Sequence, residues 1–157
     1  MKRSKKYKFV ITKAVIIIYG HSPLLLNVTG LKTKQEIEDA KIEIENRFGV
    51  KCNDIRIDNL FFSHNEKKSN GFFHRNKKSI SLYHLYYFLK GFSPDGYFID
   101  YHVEIFPGMF LKSTLKNLPT ILFFSTGSYS IIGGKSFDSV EKAKVLVNKC
   151  LLVMTLF

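Results

Sequence analysis

The sequence has few cysteines, no tryptophan and no long apolar run. Its 157 residues include two cysteines, Cys52 and Cys150, which stand far apart and form no C-x-x-C pair. This usage argues against a disulfide framework and a structural zinc site, and it favours a reducing compartment. No apolar stretch approaches the roughly 18 residues that a membrane span needs. The start resembles a signal peptide, but Lys13 interrupts it and no cleavage site follows, so we expect an intracellular protein that is not secreted.

Signatures of catalysis and of metal binding are also missing. The five histidines show no metal-ligand spacing, and no G-x-S-x-G segment occurs. The segment Gly133–Ser136 (GGKS) is similar to the end of a phosphate-binding P-loop, but Tyr129 stands where that motif needs glycine. We therefore expect a protein that is not an enzyme and that uses no metal and no cofactor.

Positive charge is what the sequence has in excess. Its 24 Lys and Arg residues outnumber 13 Asp and Glu residues, which gives a net charge of +11. Such an excess favours a polyanionic partner, either nucleic acid or an anionic membrane surface. The basic tail at residues 1–6 and the basic loop His64–Lys78 hold much of it. Each segment could follow phosphates or could be a solvated, mobile stretch.

An internal repeat organises the chain. Thr29–Lys41 aligns with Ile132–Lys144 at a constant offset of 103 residues, with Gly30 matching Gly133 and Thr33 matching Ser136. In each copy a β-hairpin precedes a helix. Because hairpins pair antiparallel strands, the pattern predicts an α+β fold rather than a doubly wound parallel sheet.

Local signals predict the individual elements. Thr33 followed by Glu36 forms a capping box for a first long helix, and Gly49 is a suitable C-cap. The predicted helices are Thr33–Phe48, Ser79–Lys90 with Gly91 ending it, and Ser136–Leu152, with Val145 among its apolar residues. The predicted strands are Tyr7–Thr12, Ala14–Tyr19, Leu24–Thr29, Asp54–Ser63, Tyr97–Ile105, Met109–Thr114, Thr120–Phe124 and Tyr129–Ile132.

This order of elements, with these residues, resembles the DNA-binding core of the TATA-box-binding protein (TBP) family. Phe106-Pro107-Gly108, with Phe124 eighteen residues on, is similar to the family's stirrup segment. The run FFSTGSYSIIGGKS, which ends at Ser136, is similar to its strand, turn, strand and T-G-A-K element. Ile57-Asp58-Asn59 is similar to its I-Q-N strand. The resemblance is best from Asp54 to the end of the chain and weaker over Ala14–Phe48.

The resemblance implies a saddle: a curved antiparallel sheet with helices on its convex face, built from two pseudo-repeats. Residues 1–6 would be a basic tail, 7–52 a partial first repeat and 53–157 a complete second repeat. The first repeat lacks its opening strand, which would leave the strand Asp54–Ser63 with an open edge. Either the first-repeat sheet or self-association with another chain would cover that edge.

The implied function is that of a general transcription initiation factor, which binds and bends A·T-rich promoter DNA through the minor groove. Its partners would be double-stranded DNA, a transcription factor IIB-like protein and the RNA polymerase machinery. It would act in the nucleus or another site of transcription, and the AT-rich composition bias fits a large DNA virus or a parasite. An alternative is a non-catalytic protein-interaction module that has lost most DNA recognition. A third is an accessory nucleic-acid-binding domain of an enzyme.

The resemblance also assigns residue roles. Phe106 and Phe124 would be wedges between base steps, Asn59 and Phe61 would contact the groove floor, and Leu122 would pack on sugars. Lys112 and Lys135 would bind phosphates. In the first repeat, the corresponding residues would be Tyr19 as a wedge, Ile17 on sugars, Thr29 as a central contact and Lys32 as the partner of Lys135. Glu104 and Ile105 would meet the IIB-like protein. The alternatives are aromatic residues in the core, an ordinary strand Asn and solvated lysines.

Overall fold

The computed structural model describes residues 7–18, 24–52 and 54–157, with side chains described for residues 28–52 and 55–157. Within these ranges seven strands form one sheet and five segments are helical. The strands are β1 (Tyr7–Ile18), β2 (Leu24–Val28), β3 (Asp54–His64), β4 (Tyr97–Asp100), β5 (Met109–Ser113), β6 (Thr120–Phe123) and β7 (Tyr129–Gly134). The helices are α1 (Lys34–Phe48), α2 (Glu66–Ser69), α3 (Phe72–Arg75), α4 (Leu82–Phe92) and α5 (Phe137–Met154). The predicted α+β class is confirmed.

The sheet is antiparallel throughout, with the strand order β2-β1-β3-β7-β6-β5-β4. One row of cross-strand partners runs from Met109 through Phe123 and Tyr129 to His64. The turn between β6 and β7 lies just beyond this row, as do the segments before β5 and after β3. We call this side of the sheet the turn margin.

The core lies on the sheet face that packs against α4 and α5, which we call the inner face. Successive residues of a strand point to opposite faces, so every second residue of β5, β6 and β7 is buried there. These residues are Met109, Leu111, Ile121, Phe123, Tyr129 and Ile131, and Leu85, Leu89, Val140 and Val147 pack on them from the helices. The residues between them point to the opposite, outer face.

Two helices begin where their caps predict, and the first also ends where its cap predicts. The Thr33 hydroxyl accepts a hydrogen bond from the Glu36 amide at 3.2 Å, and the Glu36 carboxylate accepts one from the Lys32 amide. Helix α1 ends at Gly49, whose φ of 62° is left-handed. Ser136 caps α5 by accepting from the Ser139 amide at 3.1 Å. The capping residues satisfy amides that a helix leaves free in its first turn, which explains why these starts are readable from sequence.

The first strand differs from the prediction. Tyr7–Thr12 and Ala14–Tyr19 were expected as separate strands, but they form the single strand β1, with register shifts on either side of Lys13. Tyr19 itself lies outside the described residues. Strand β1 pairs with β3 from Tyr7 opposite His64 to Ile17 opposite Asp54. The expected open edge of β3 is therefore covered by the first-repeat hairpin.

Two other boundaries and the placement of one residue are corrected. Gly91 does not end α4, because the helix continues to Phe92 and Ser93 takes the left-handed cap with φ of 47°. The strand expected at Tyr97–Ile105 stops at Asp100, because the His102 carbonyl accepts hydrogen bonds from the amides of Ile105 and Phe106 and so closes a turn. Val145 is 70% exposed and does not belong to the buried face of α5.

The basic loop expected after His64 is folded rather than extended. It contains the single-turn helices α2 and α3, and Asn65 caps the first by accepting from the Lys68 amide at 2.9 Å. The side chains of Glu66 and Phe73 are buried, with 4% and 3% exposure. This segment, residues 65–78, is called the insertion below. Of the described helices, none has the length and apolar character that a membrane crossing requires.

Candidate nucleic-acid interface

The outer face of strands β4 to β7 carries two of the side chains that were predicted to contact DNA, Leu122 and Lys112, and two more, Phe106 and Phe124, lie at its turn margin. Register places Phe110, Leu122 and Ser130 side by side across three strands. Phe98 lies opposite Lys112 on the neighbouring pair of strands. The outer face therefore combines aromatic, aliphatic and hydroxyl groups with one lysine, which suits a nucleic-acid surface that is part apolar and part anionic.

Phe106, Phe110 and Phe124 form an aromatic cluster at the turn margin. The rings of Phe106 and Phe124 are 6.2 Å apart at an interplanar angle of 62°, and those of Phe106 and Phe110 are 5.4 Å apart at 27°. Phe106 keeps 37% of its surface exposed. The two predicted wedges are thus brought together, and neither belongs to the buried core. Phe110 was not predicted, although strict alternation along Met109–Ser113 would have placed it beside Lys112.

Gly108 allows this cluster to close over the sheet. A Cβ atom at position 108 would lie 2.8 Å from both Leu122 Cδ1 and Phe106 Cε1 and 3.2 Å from the Phe123 carbonyl oxygen. Leu122 is only 8% exposed under this packing. Gly108 therefore lies close to both the Phe106 ring and Leu122, the expected sugar-packing residue.

Lys112 already has a partner in the free protein. Its Nζ lies 2.5 Å from Asp100 Oδ2 and 5.2 Å from the centre of the Phe110 ring. His102 Nε2 lies 3.2 Å from the other Asp100 oxygen. The hydrogen bond from Lys112 is the main reason that the pKa of Asp100 is lowered below its usual value. A phosphate that binds Lys112 would have to compete with Asp100, an acid that sequence reasoning missed.

The alternation of core-facing and outward-facing side chains along strand β3 shifts by one residue at Asp58 and Asn59. Ile55 and Ile57 pack towards the core before this point, and Leu60 and Phe62 do so after it. The two register shifts with β1 lie at the same place, which is the signature of β-bulges. Phe61 consequently points to the outer face, while the Lys135 ammonium donates a hydrogen bond to the Asp58 carbonyl at 2.5 Å. Asn59 and Lys135 therefore lie near each other at the middle of the sheet.

The first-repeat residues are not placed symmetrically. Thr29 is exposed and follows β2, the outermost strand, so the structure does not bring it to the centre where it was expected. Lys32 is exposed at the start of α1. Ile17 pairs through its backbone with Leu25 and Asp54, its side chain is outside the described part, and Tyr19 lies wholly outside it.

The order of strands explains this asymmetry. On one side β3 borders β7, the second strand of its hairpin, which leads directly into α5. On the other side β3 borders β1, the first strand of its hairpin, whereas β2 is the strand that leads towards α1. Gly30 and Gly133 have similar left-handed φ values of 78° and 76°, so the local geometry of the two copies agrees. The two hairpins differ in which of their strands pairs with β3.

The segment between β4 and β5 forms an exposed apolar tip. Val103 and Ile105 are 62% and 81% exposed, and Glu104 between them is exposed as well. Glu104 and Ile105 are therefore accessible to a partner.

Among the described residues no three His, Cys, Asp or Glu side chains are grouped as metal ligands. Both cysteines are buried thiols without a disulfide. Burial raises the pKa of Cys150 to about 12, which keeps this thiol protonated and unreactive at neutral pH.

Comparison with known proteins gives a structural likeness only. No protein-family model matches the chain. No curated protein sequence matches it significantly. Among solved structures, the TBP of Methanococcus jannaschii superposes with a TM-score of 0.52 at 18% sequence identity, over 92% of this chain and 98% of the archaeal one. The fold is therefore the TBP-like saddle that the sequence predicted, with a curved antiparallel sheet and helices on one face.

Proposed function

We propose that this protein is a TBP-like transcription initiation factor that binds A·T-rich promoter DNA in the minor groove and bends it. The aromatic cluster of Phe106, Phe110 and Phe124 carries the proposal, because it places partly exposed rings at one margin of the outer face of a TBP-like sheet. Apolar wedges of this kind unstack base steps and kink the duplex. The net charge of +11 supports a polyanionic partner.

Two unequal repeats form this surface in the proposal. Residues 7–52 would supply a partial first repeat, residues 53–157 a complete second one, and residues 1–6 a basic tail that binds phosphate. The shared caps and the matching glycine angles at 30 and 133 support the repeat. Asn59, Phe61, Leu122, Lys112 and Lys135 would contact DNA from the second repeat. Ile17, Tyr19, Thr29 and Lys32 would act from the first.

Binding to a duplex that carries TATAAA, against a G·C-rich duplex, tests the proposal directly. Fluorophores on the two DNA ends report bending by energy transfer while the salt concentration is varied. We expect selective, salt-sensitive binding to TATAAA, with bending that Phe106→Ala and Phe124→Ala abolish. Tyr87→Ala is the matched control, because Tyr87 is an aromatic residue 60% exposed on α4, on the opposite side of the sheet. Equal weak binding to both duplexes without bending contradicts the proposal.

The exposed tip supports a second role within the same function. Glu104 and Ile105 would dock a transcription factor IIB-like protein, which brings the RNA polymerase machinery to the promoter. Glu104→Lys with Ile105→Ser is expected to stop recruitment of that protein to preformed DNA complexes and to leave bending unchanged. If the unaltered protein recruits such a partner without bending DNA, the alternative of a pure interaction module is correct. In either role the protein is not an enzyme and works at the site of transcription.

A further inference from the structure

The insertion, residues 65–78, forms a basic cleft next to the β6–β7 turn. The cleft has a volume of about 780 Å³, and the cationic groups that line it include Lys67, Arg75 and Lys77. All three side chains are exposed. Within the part of the chain that the structure describes, none of the three forms an ion pair. Lys78, in contrast, donates to the Thr155 carbonyl at 2.8 Å, which ties it to the end of α5.

A buried carboxylate holds the insertion in shape. Glu66 Oε1 accepts a hydrogen bond from the Phe73 amide at 2.8 Å, and Oε2 lies 2.6 Å from His64 Nε2. A Cβ at Gly71 would lie within 2.4 Å of this carboxylate, so the chain passes closely over it. The one acidic group of the segment is therefore used internally, and the basic groups are left for solvent or a ligand.

The insertion is fixed to the turn that carries Phe124. The Ser128 hydroxyl accepts from the Glu66 amide at 2.9 Å, and the Ser125 carbonyl accepts from the Ile80 amide at 2.6 Å. Gly127 lies against Phe73, since a Cβ there would be 2.7 Å from the Phe73 ring. The β6–β7 turn itself is closed by the Phe124 amide, which donates a hydrogen bond to the Ser128 carbonyl at 3.0 Å. The basic cleft and the wedge residue thus belong to one rigid unit.

We propose that this cleft binds the phosphate backbone of the same duplex that the aromatic cluster kinks. The minor groove of B-DNA is about 6 Å wide, so a ring that enters it at Phe124 has a phosphate chain on each side within a few residues' reach. Thr126 and Ser128, just after Phe124, line the cleft. The cleft's unpaired cations neutralise the phosphate chain on their side and release its counterions. The insertion thereby fixes the position of the kink, and this inference rests on the proposed DNA binding.

The test compares the salt dependence of duplex binding between two triple variants. Lys67→Gln, Arg75→Gln and Lys77→Gln together remove three charges from the cleft. Lys90→Gln, Lys142→Gln and Lys149→Gln remove three exposed charges from α4 and α5, and so control for net charge. The slope of log K against log salt is negative, and its magnitude decreases by about 0.9 for each phosphate contact that is lost. The slope of the cleft variant should therefore be smaller in magnitude by about 2 to 3. The control variant should keep the slope, and both should still bend the DNA.

The outcomes separate this inference from the proposed function. If the unaltered protein neither binds nor bends the TATAAA duplex, the proposed function fails and the cleft proposal falls with it. If the protein binds and bends but the cleft variant keeps the full slope, or both variants lose slope equally, only the cleft proposal is overturned. A second measurement uses duplexes shortened at both ends. Shortening the duplex should remove the phosphates that the cleft contacts, so the slope of the unaltered protein should decrease in magnitude towards that of the cleft variant. The slope of the cleft variant should not change when the duplex is shortened.

Discussion

At the scale of the residue, Gly108 decides whether the aromatic cluster can form. Its missing side chain leaves room for the Phe106 ring, Leu122 and the Phe123 carbonyl, which a Cβ at this position would crowd. Any larger residue would push against a ring, a leucine and a backbone oxygen at the same time. The position of the predicted wedge is therefore set by a neighbour that has no functional group of its own.

Gly108→Ala tests this dependence. The added methyl group overpacks the site, so the free energy of unfolding should fall by about 2 kcal/mol, and the displaced Phe106 ring should reduce DNA bending. Urea unfolding and energy transfer between the duplex ends measure the two effects. Gly91→Ala is the control: nothing lies within 4 Å of a Cβ at position 91, so alanine should stabilise α4 by about 0.5–1 kcal/mol. Unchanged stability and bending in Gly108→Ala would show that the contacts around Gly108 are loose.

At the same scale, Asp100 would compete with phosphate for Lys112 if Lys112 binds DNA as proposed. Asp100→Asn should free Lys112, raise DNA affinity and increase the salt slope by about 0.9, the value of one phosphate contact. Asp138→Asn is the matched control, because Asp138 pairs with Lys142 at 3.1 Å on the exposed side of α5. Equal gains from both variants would mean that only net charge matters.

The same ion pair should respond to acid. Because the folded pKa of Asp100 is lowered, the stability that the pair contributes is present above the unfolded pKa. It disappears as the pH falls through the folded value. An acid titration followed by NMR at the Asp100 carboxyl should therefore show a midpoint below that of an aspartate in an unfolded chain.

At the scale of the element, the insertion depends on Glu66. Glu66→Ala removes the acceptor of the Phe73 amide and the partner of His64, and leaves a buried donor unsatisfied. We expect a loss of about 2 kcal/mol and faster hydrogen exchange at the amides of Phe73 and Ile80. Glu38→Ala on α1 is the control, because Glu38 is exposed and its removal should change stability by less than about 0.5 kcal/mol. Slow exchange that persists in Glu66→Ala would show that other contacts hold the insertion.

Elements that are specified by local contacts were predictable from the sequence. Helix α1 begins at Thr33 because the capping residues lie within three positions of one another, and Gly49 ends it for the same local reason. The insertion was not predictable, because the hydroxyl that holds the Glu66 amide comes from Ser128, 62 residues away. The early end of β4 also depended on a turn around His102 that alternation of residues does not reveal.

For the candidate site, the family resemblance assigned Phe106 and Phe124 as wedges; the structure places their rings 6.2 Å apart, and the wedge role stays a prediction. Asp100 could not be predicted, since its pairing with Lys112 joins two strands whose register the sequence does not state. The central position expected for Thr29 depended on assuming equal repeats. Which strand of a hairpin borders β3 is settled by long-range pairing, and repeat matching alone cannot supply it.

At the scale of the whole molecule, β1 protects the middle strand. It covers β3 over nearly its full length, from Asp54 to His64. Among the described residues, the terminal strands of the sheet are therefore β2 and β4, which are 5 and 4 residues long. Short edge strands offer few free backbone groups to another chain, so the arrangement limits edge-to-edge association.

Removing residues 1–28 should reverse this protection. The shortened chain exposes the whole edge of β3, an 11-residue strand, and should associate as its concentration rises. Sedimentation velocity over a concentration series, with the full chain as reference, measures the effect. A shortened chain that stays monomeric and unfolds cooperatively would show that β3 does not need its partner.

The unequal neighbours of β3 also give the sheet a direction along its length. On one side lie the aromatic cluster and the basic cleft, and on the other lies the β1–β2 hairpin. A duplex laid on the sheet in one heading meets these groups in one order, and a duplex turned end for end meets them reversed. The two headings must differ in free energy, and each 1.4 kcal/mol of difference favours one of them about tenfold. If the protein binds promoter DNA as proposed, the complex would therefore be polar from the start, with upstream and downstream distinguished by this protein alone.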